Sequence, residues 1–270
     1  MEYFTLRDGN QIPCMGFGCF NAFGEEVRQA VLAAVETGYR YIDSAERYGN
    51  EEDVGKAIAH CCAPREELRV LSKVWPTSYD DPEAALIRSM KALQVEYLDY
   101  YLIHWPGTDE ARRLKAYETL LSLREKGLIR TVGVSNFQID QLEKVKAEFG
   151  DYPAINEIER HPSYQQRELA DWCREKGIRT ISYSPINRSA DLTNDTVQGL
   201  AEKYGKTPAQ VVLRWHVEKQ QLPIPKSGNR QRIRENLDVF DFSLQPEEIS
   251  AIDALERGGR SGLDPRTFNG

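Results

Sequence analysis

The chain has 270 residues, 40% hydrophobic and 29% charged, a balance that excludes a disordered chain. Its 35 Lys and Arg against 42 Asp and Glu leave a formal charge of −7, which argues against nucleic acid as the main partner. Apolar runs are short, Tyr100-Tyr101-Leu102-Ile103 among the longest, far below the ~20 residues of a membrane helix.

No basic region followed by an apolar stretch opens the chain, so no signal peptide is expected. Residues 3–6 and 11–13 are strand-like around Asp8-Gly9-Asn10, which predicts a hairpin. Strand and helix patterns then alternate. Strands are predicted over residues 16–19, 41–43, 69–73, 98–103, 131–135, 154–158, 180–183 and 222–225. Val27, Val31, Ala34 and Val35 share a helical face that Gly38 ends. Asn50 reads as a cap before the acids Glu51, Glu52 and Asp53. Further helices are predicted around Ala85–Leu93 and Ala116–Leu123, and over residues 138–149, 166–176, 207–218, 230–237 and 246–255. Thr207-Pro208 reads as an N-cap followed by an N1 proline.

Cysteines stand at 14, 19, 61, 62 and 173, an odd count with no C-x-x-C. Reduced thiols in a cytoplasmic protein are expected, with neither a disulfide framework nor a zinc site.

Eight strands alternating with helices fit a closed (β/α)8 barrel or a doubly wound sheet, read as one domain over residues 1–270. No G-x-G-x-x-G follows the first strand, which weakens the dinucleotide-binding sheet. A barrel gathers the C-terminal ends of its strands on one rim. Those ends carry Asp43, Lys73, His104, Ser135-Asn136, Glu157, Tyr183 and Lys226, each polar after an apolar run. No metal-ligand spacing and no serine elbow appears. Asp43 with Glu157 could be the carboxylate pair of a glycosidase, but Lys73 would then need another purpose. Tyr48 follows Asp43 by five residues. A lysine ammonium beside its phenol would lower a pKa ordinarily near ~10, and Asp43 could hold that lysine. An ordinary loop tyrosine remains the plainer alternative.

Gly38-Tyr39-Arg40-Tyr41-Ile42-Asp43-Ser44-Ala45, followed by Tyr48-Gly49-Asn50-Glu51, resembles a signature of the aldo-keto reductase family. So do Leu102-Ile103-His104-Trp105-Pro106, Gly133-Val134-Ser135-Asn136-Phe137 and Ile224-Pro225-Lys226-Ser227. The resemblance runs from the hairpin to Asp264-Pro265-Arg266-Thr267-Phe268-Asn269, essentially the whole chain. It implies a (β/α)8 barrel whose hairpin closes the bottom, and NADPH-dependent reduction of small aldehydes or ketones. The catalytic tetrad would be Asp43, Tyr48, Lys73 and His104. Tyr48 would give the proton, Lys73 would lower its pKa, Asp43 would hold Lys73 and His104 would orient the carbonyl. Ser135, Asn136 and Glu157 would meet the nicotinamide carboxamide, and Tyr183 would stack on its ring. Ser184, Pro185 and Ile186 would wrap the pyrophosphate. Lys226, Ser227 and Arg232 would grip the 2′-phosphate, with Glu235 and Asn236 at the adenine. Phe20, Trp75 and Trp105 would line the substrate pocket beside His104.

Two positions depart from the family pattern. Glutamine is usual at Glu157. An ionised glutamate only accepts hydrogen bonds, and its charge would favour the oxidised cofactor. Glycine is usual at Asn187, so that loop is expected to differ in shape. The tail after Phe268 is short, which suggests an open site. The implied partner is a small carbonyl compound, with no nucleic acid, membrane or metal, acting on a monomer or weak dimer. The resemblance leaves a non-catalytic NADPH-binding regulatory subunit as the alternative.

Overall fold

The structure, a computed structural model, describes residues 2–269. Strands β1 (Tyr3–Thr5) and β2 (Gln11–Pro13) form the antiparallel hairpin, with Phe4 opposite Ile12. Eight parallel strands follow in chain order: β3 (Phe17–Gly18), β4 (Tyr41–Asp43), β5 (Arg69–Val74), β6 (Leu98–Ile103), β7 (Ile129–Ser135), β8 (Ile155–Glu159), β9 (Arg179–Tyr183) and β10 (Leu222–Pro223). Gly16 N donates to Pro223 O and Gly18 N to Pro225 O, both at 3.1 Å, which joins the first barrel strand to the last. Helices α1 (Gly24–Thr37), α2 (Glu51–His60), α3 (Pro82–Leu93), α4 (Glu110–Glu125), α5 (Ile139–Phe149) and α6 (Arg167–Glu175) alternate with them. Next come α7 (Asp195–Tyr204), α8 (Pro208–Glu218), α9 (Arg230–Leu237) and α10 (Pro246–Asp253). None of these is long and apolar enough to cross a membrane.

The strands read as near-continuous apolar runs because both faces are buried. One face meets the helices through residues such as Ile42, Val70, Tyr101 and Val134. The other fills the barrel with Tyr41, Leu71, Tyr100, Leu102, Ile155, Ile181, Leu222 and Ile224. Leu6 and Ile12 of the hairpin join that inner cluster, and Tyr100 Oη donates to Gln11 O at 2.7 Å. The hairpin thus seals the N-terminal end. A Cβ on Gly16 would fall 2.2 Å from Tyr41 Cδ1, so glycine there lets the Tyr41 ring enter the barrel.

Side chains alternate along a strand with period two. The residue two beyond each inner apolar residue therefore points inward one layer higher. That rule carries Tyr41 to Asp43, Leu71 to Lys73, Leu102 to His104, Ile155 to Glu157 and Ile181 to Tyr183. The polar strand ends are the top layer of the barrel interior.

Four expectations need correction. Helix α7 was not anticipated, since its buried stripe is only Val197 and Ala201 and Gly199 interrupts it. The Asn194 cap and the Gly205 terminator were the available signals. Asn50 does not cap α2 with its side chain. Its Nδ2 donates to Cys19 O and Ala22 O instead, tying the loops after β3 and β4 together. Strand β8 continues past Glu157 to Glu159. The tail does reach the rim, where Phe268 packs on Trp75 and Trp105 with centroids 5.7 and 4.7 Å away. Asn269 Oδ1 accepts from Thr108 N and Oγ1, which ties the chain end down.

Candidate active site

Lys73 is fully buried on β5 and gathers four oxygens. Its Nζ lies 2.7 Å from Asp43 Oδ1, 3.1 Å from Ser44 O, 3.3 Å from Glu157 Oε1 and 3.4 Å from Tyr48 Oη. Burial alone would lower the lysine pKa, but the Asp43 carboxylate beside it leads the opposing pull, which outweighs burial and holds the ammonium charged. Tyr41 Oη donates to Asp43 Oδ2 at 3.0 Å, which fixes the carboxylate from its other side. Tyr48 closes a short turn after β4, where Gly49 takes φ 66°.

The sequence reading expected Lys73 to lower the Tyr48 pKa. Lys73 does pull that way, but burial dominates and raises the phenol above its usual range, with Asp43 adding to the rise. Tyr48 is therefore a neutral phenol at physiological pH, the form that can donate a proton. His104 is buried and held well below its ordinary pKa, first by burial and then by Lys73 and Arg47. It is a neutral imidazole, and its ring stands 5.7 Å from Tyr48 and 5.0 Å from Trp75.

Glu157, expected at the carboxamide, has one oxygen on Lys73 and the other without a partner. Burial and the neighbouring Asp43 raise its pKa well above the carboxylate range. Asp43 and Glu157 are each only 1% exposed, so they do not flank an open cleft as a glycosidase pair must. Next to them, Ser135 Oγ donates to Glu157 O, Asn136 Nδ2 to His104 O and Tyr183 Oη to Asn136 Oδ1. Asn136 takes φ 66°, a left-handed turn that ends β7.

The loop after β9 is strained. Ser184, Asn187, Arg188 and Ser189 all have φ between 47° and 78°, and Pro185 and Ile186 lie within the run. Left-handed backbone costs a non-glycine residue on the order of 1 kcal/mol. Asn187, where the shape was expected to differ, donates Nδ2 to Ser163 Oγ and Asp191 Oδ1. At the far end, Lys226 pairs with Glu26 at 3.2 Å and Ser227 Oγ accepts from Asn229 N. Arg232 is exposed on α9 and makes no ion pair among the described residues. Glu235 Oε1 accepts from Gln231, and Asn236 lies on the buried side of that helix.

Of the pocket aromatics, Phe20 is 58% exposed, with its ring edge-on to Tyr48 at 5.0 Å. Trp75 and Trp105 are joined by Phe268, as above. The sequence reading missed Arg47, whose guanidinium lies over Trp75. It also missed Glu159, which accepts from Ser261 N and Gly262 N and so anchors the tail. His161 bridges Glu159 and Asp191 at 3.2 Å each. The alternating E-x-H after Glu157 was a usable signal for that cluster. Among the described residues no group of His, Cys, Asp and Glu could hold a metal.

Known proteins resemble the chain over nearly its whole length. The pattern of the Aldo/keto reductase family matches residues 15–257. An aldo-keto reductase of Mycolicibacterium smegmatis is 44% identical over 267 residues, 98% of this chain and 97% of its own length. Methylglyoxal reductase DkgA of Escherichia coli (strain K12) has the same identity and coverage. The crystal structure of a Gox0644 mutant in complex with NADPH superposes with a TM-score of 0.94 at 36% identity, covering 99% of this chain and 98% of that one. The chain belongs to the aldo/keto reductase family.

Proposed function

We propose that the chain reduces small aldehydes and ketones to alcohols with NADPH, in a reducing cytoplasmic compartment. The arrangement of Tyr48, Lys73, Asp43 and His104 around one point of the rim carries this reading. The five cysteines are all unpaired, which suits the compartment.

The residues present fit that cofactor. The left-handed positions at Ser184, Asn187, Arg188 and Ser189 shape the loop that would wrap the pyrophosphate. Among the described residues Arg232 makes no ion pair, which leaves its guanidinium for the 2′-phosphate together with Lys226 and Ser227. Ser135, Asn136 and Tyr183 supply polar groups for the carboxamide and a ring for stacking. When bound, the reduced nicotinamide supplies the hydride for the carbonyl carbon.

The chain's own groups handle the other half of the reaction. His104, neutral, orients the carbonyl oxygen. Tyr48 Oη passes its proton to that oxygen as negative charge develops on it, giving the alcohol. Lys73 stabilises the phenolate left behind, and Asp43 holds Lys73 in place. Water returns the proton to Tyr48.

The test is NADPH consumption with a panel of small carbonyls that includes methylglyoxal, for wild type and Tyr48→Phe. Wild type should turn over, and the variant should lose roughly 100-fold or more while still binding NADPH. No turnover by the wild type would leave a cofactor-binding regulatory subunit. A variant within about tenfold of wild type would remove Tyr48 from the proton step.

A further inference from the structure

We infer that Arg47 selects carbonyl substrates that carry a carboxylate. This inference rests on the reductase reading above and names its substrate class. Arg47 lies in the turn after β4, directly before Tyr48. Its guanidinium carbon is 5.4 Å from the centre of the Trp75 ring. That ring in turn meets His104 at 5.0 Å and Phe268 at 5.7 Å between centroids. Of the four pocket aromatics Phe20, Trp75, Trp105 and Phe268, only Trp75 has a cation over it among the described residues.

Arg47 is exposed and makes no ion pair or side-chain hydrogen bond among the described residues. The adjacent Glu46 is engaged elsewhere, accepting from Trp75 N, Ser78 Oγ and Arg88. A guanidinium held over an aromatic face is restrained without using its N–H donors. Those donors form a planar fork that matches a carboxylate with two parallel hydrogen bonds.

The electrostatics of the rim point the same way. The charge of Lys73 is matched by Asp43 beneath the pocket, and His104 is neutral. Among the described residues Arg47 is a cation without an ion pair beside the pocket aromatics, on a chain whose net charge of −7 repels anions at long range. A neutral carbonyl compound needs only the aromatic walls and gains nothing from this charge. A carboxylate on the end of the substrate away from the carbonyl gains a restrained partner.

The experiment compares matched pairs that differ only in charge. Succinic semialdehyde and 4-carboxybenzaldehyde are each assayed beside their methyl esters, with NADPH, on wild type and Arg47→Met. The readout is the ratio of kcat/KM for acid over ester, in which any general effect on the pocket cancels. The ratio should fall roughly tenfold in the variant, the worth of one charge-assisted hydrogen bond of about 1.4 kcal/mol. If Arg47 only braces Trp75, both members of a pair decline together. A ratio within about twofold of wild type for both pairs overturns the proposal. Failure of the wild type to reduce any of the four compounds overturns the reductase reading instead.

Discussion

Glu157 Oε1 lies 3.3 Å from Lys73 Nζ, so the buried ammonium is shared between Glu157 and Asp43. Two carboxyl groups around one cation cannot both ionise at low cost in a buried site. Asp43, at 2.7 Å and bonded by Tyr41, is the better placed for the charge. Burial and the neighbouring Asp43 raise the Glu157 pKa well above the carboxylate range, which favours its protonated form. In that form Glu157 would not give the charge-based preference for oxidised cofactor expected from the sequence. Glu157→Gln should leave the ratio of NADPH to NADP⁺ dissociation constants unchanged within about twofold at neutral pH, because a protonated acid carries no charge to discriminate. Fluorescence titration measures that ratio, and a larger change would restore an ionised Glu157.

The same shift fixes a stability trend. A carboxyl whose pKa is raised on folding stabilises fully below its unfolded value of about 4.3 and loses that contribution as pH climbs towards the folded value. Glutamine does not titrate, and its amide can accept from Lys73 and donate to Asp43. The melting temperature of Glu157→Gln relative to wild type should rise between about pH 5 and about pH 8. A flat or falling difference would mean that Glu157 is ionised when folded.

Much of the site was legible because parallel strands are buried on both faces, so a polar residue ending an apolar run stands out. Asp43, Lys73 and His104 are visible in that way, and period two places them on one layer. Thr207-Pro208 with Gln210 is a local capping pattern, and α8 begins there with both reciprocal bonds made. What was not legible depends on contacts between distant segments. The direction of the Tyr48 pKa is set by burial, which no spacing reveals. The turn of Glu157 towards Lys73 needs β5 and β8 on one closed wall. Arg47 reads as a surface residue until Trp75 is placed beneath it.

Arg232 should decide between the two forms of the nicotinamide cofactor. It is exposed near the start of α9 and has no carboxylate to compete with a phosphate among the described residues. Lys226, by contrast, is shared with Glu26. Arg232→Ala should weaken NADPH roughly 10- to 100-fold, as expected for loss of about 1.5–3 kcal/mol of charge-assisted bonding, and leave NADH almost untouched. Equal weakening of both would show that Arg232 does not read the phosphate.

Phe268 packs the tail on Trp75 and Trp105, the aromatics proposed to line the substrate pocket. Each aromatic pair is worth about 0.5–1.5 kcal/mol beyond its area. Phe268→Ala should raise KM for aromatic aldehydes several-fold and change kcat little, because no proton-transfer group is touched. Steady-state kinetics separates the two constants. A fall in kcat with KM unchanged would mean that the tail orders the catalytic groups rather than the pocket wall.

His161 should make the hold on the tail depend on pH. Its ring is fully buried between Glu159 and Asp191, at 3.2 Å from each. Burial pulls its pKa down, but hydrogen bonds to Asp191 and Glu159 outweigh that and raise it overall. The two carboxylates fall to about 2 each, since their bonds to His161 and to neighbouring donors overcome burial. A histidine raised on folding stabilises fully below its unfolded pKa of about 6.5, and that contribution is lost as pH rises through the folded value. The carboxylates stabilise above their unfolded values of about 4 and lose this as pH falls towards 2. The clamp is therefore strongest near about pH 5 to 6.5, where the imidazolium and both carboxylates are charged together. Glu159 also accepts from Ser261 and Gly262, so the clamp holds the tail that carries Phe268. His161→Gln should lower the melting temperature most at about pH 5.5 and clearly less at about pH 8.5, with each kcal/mol worth roughly 2–4 °C in a chain of this size. Calorimetry at the two pH values checks it. An equal loss at both would show that His161 acts by packing and neutral hydrogen bonds, with no charge in the clamp.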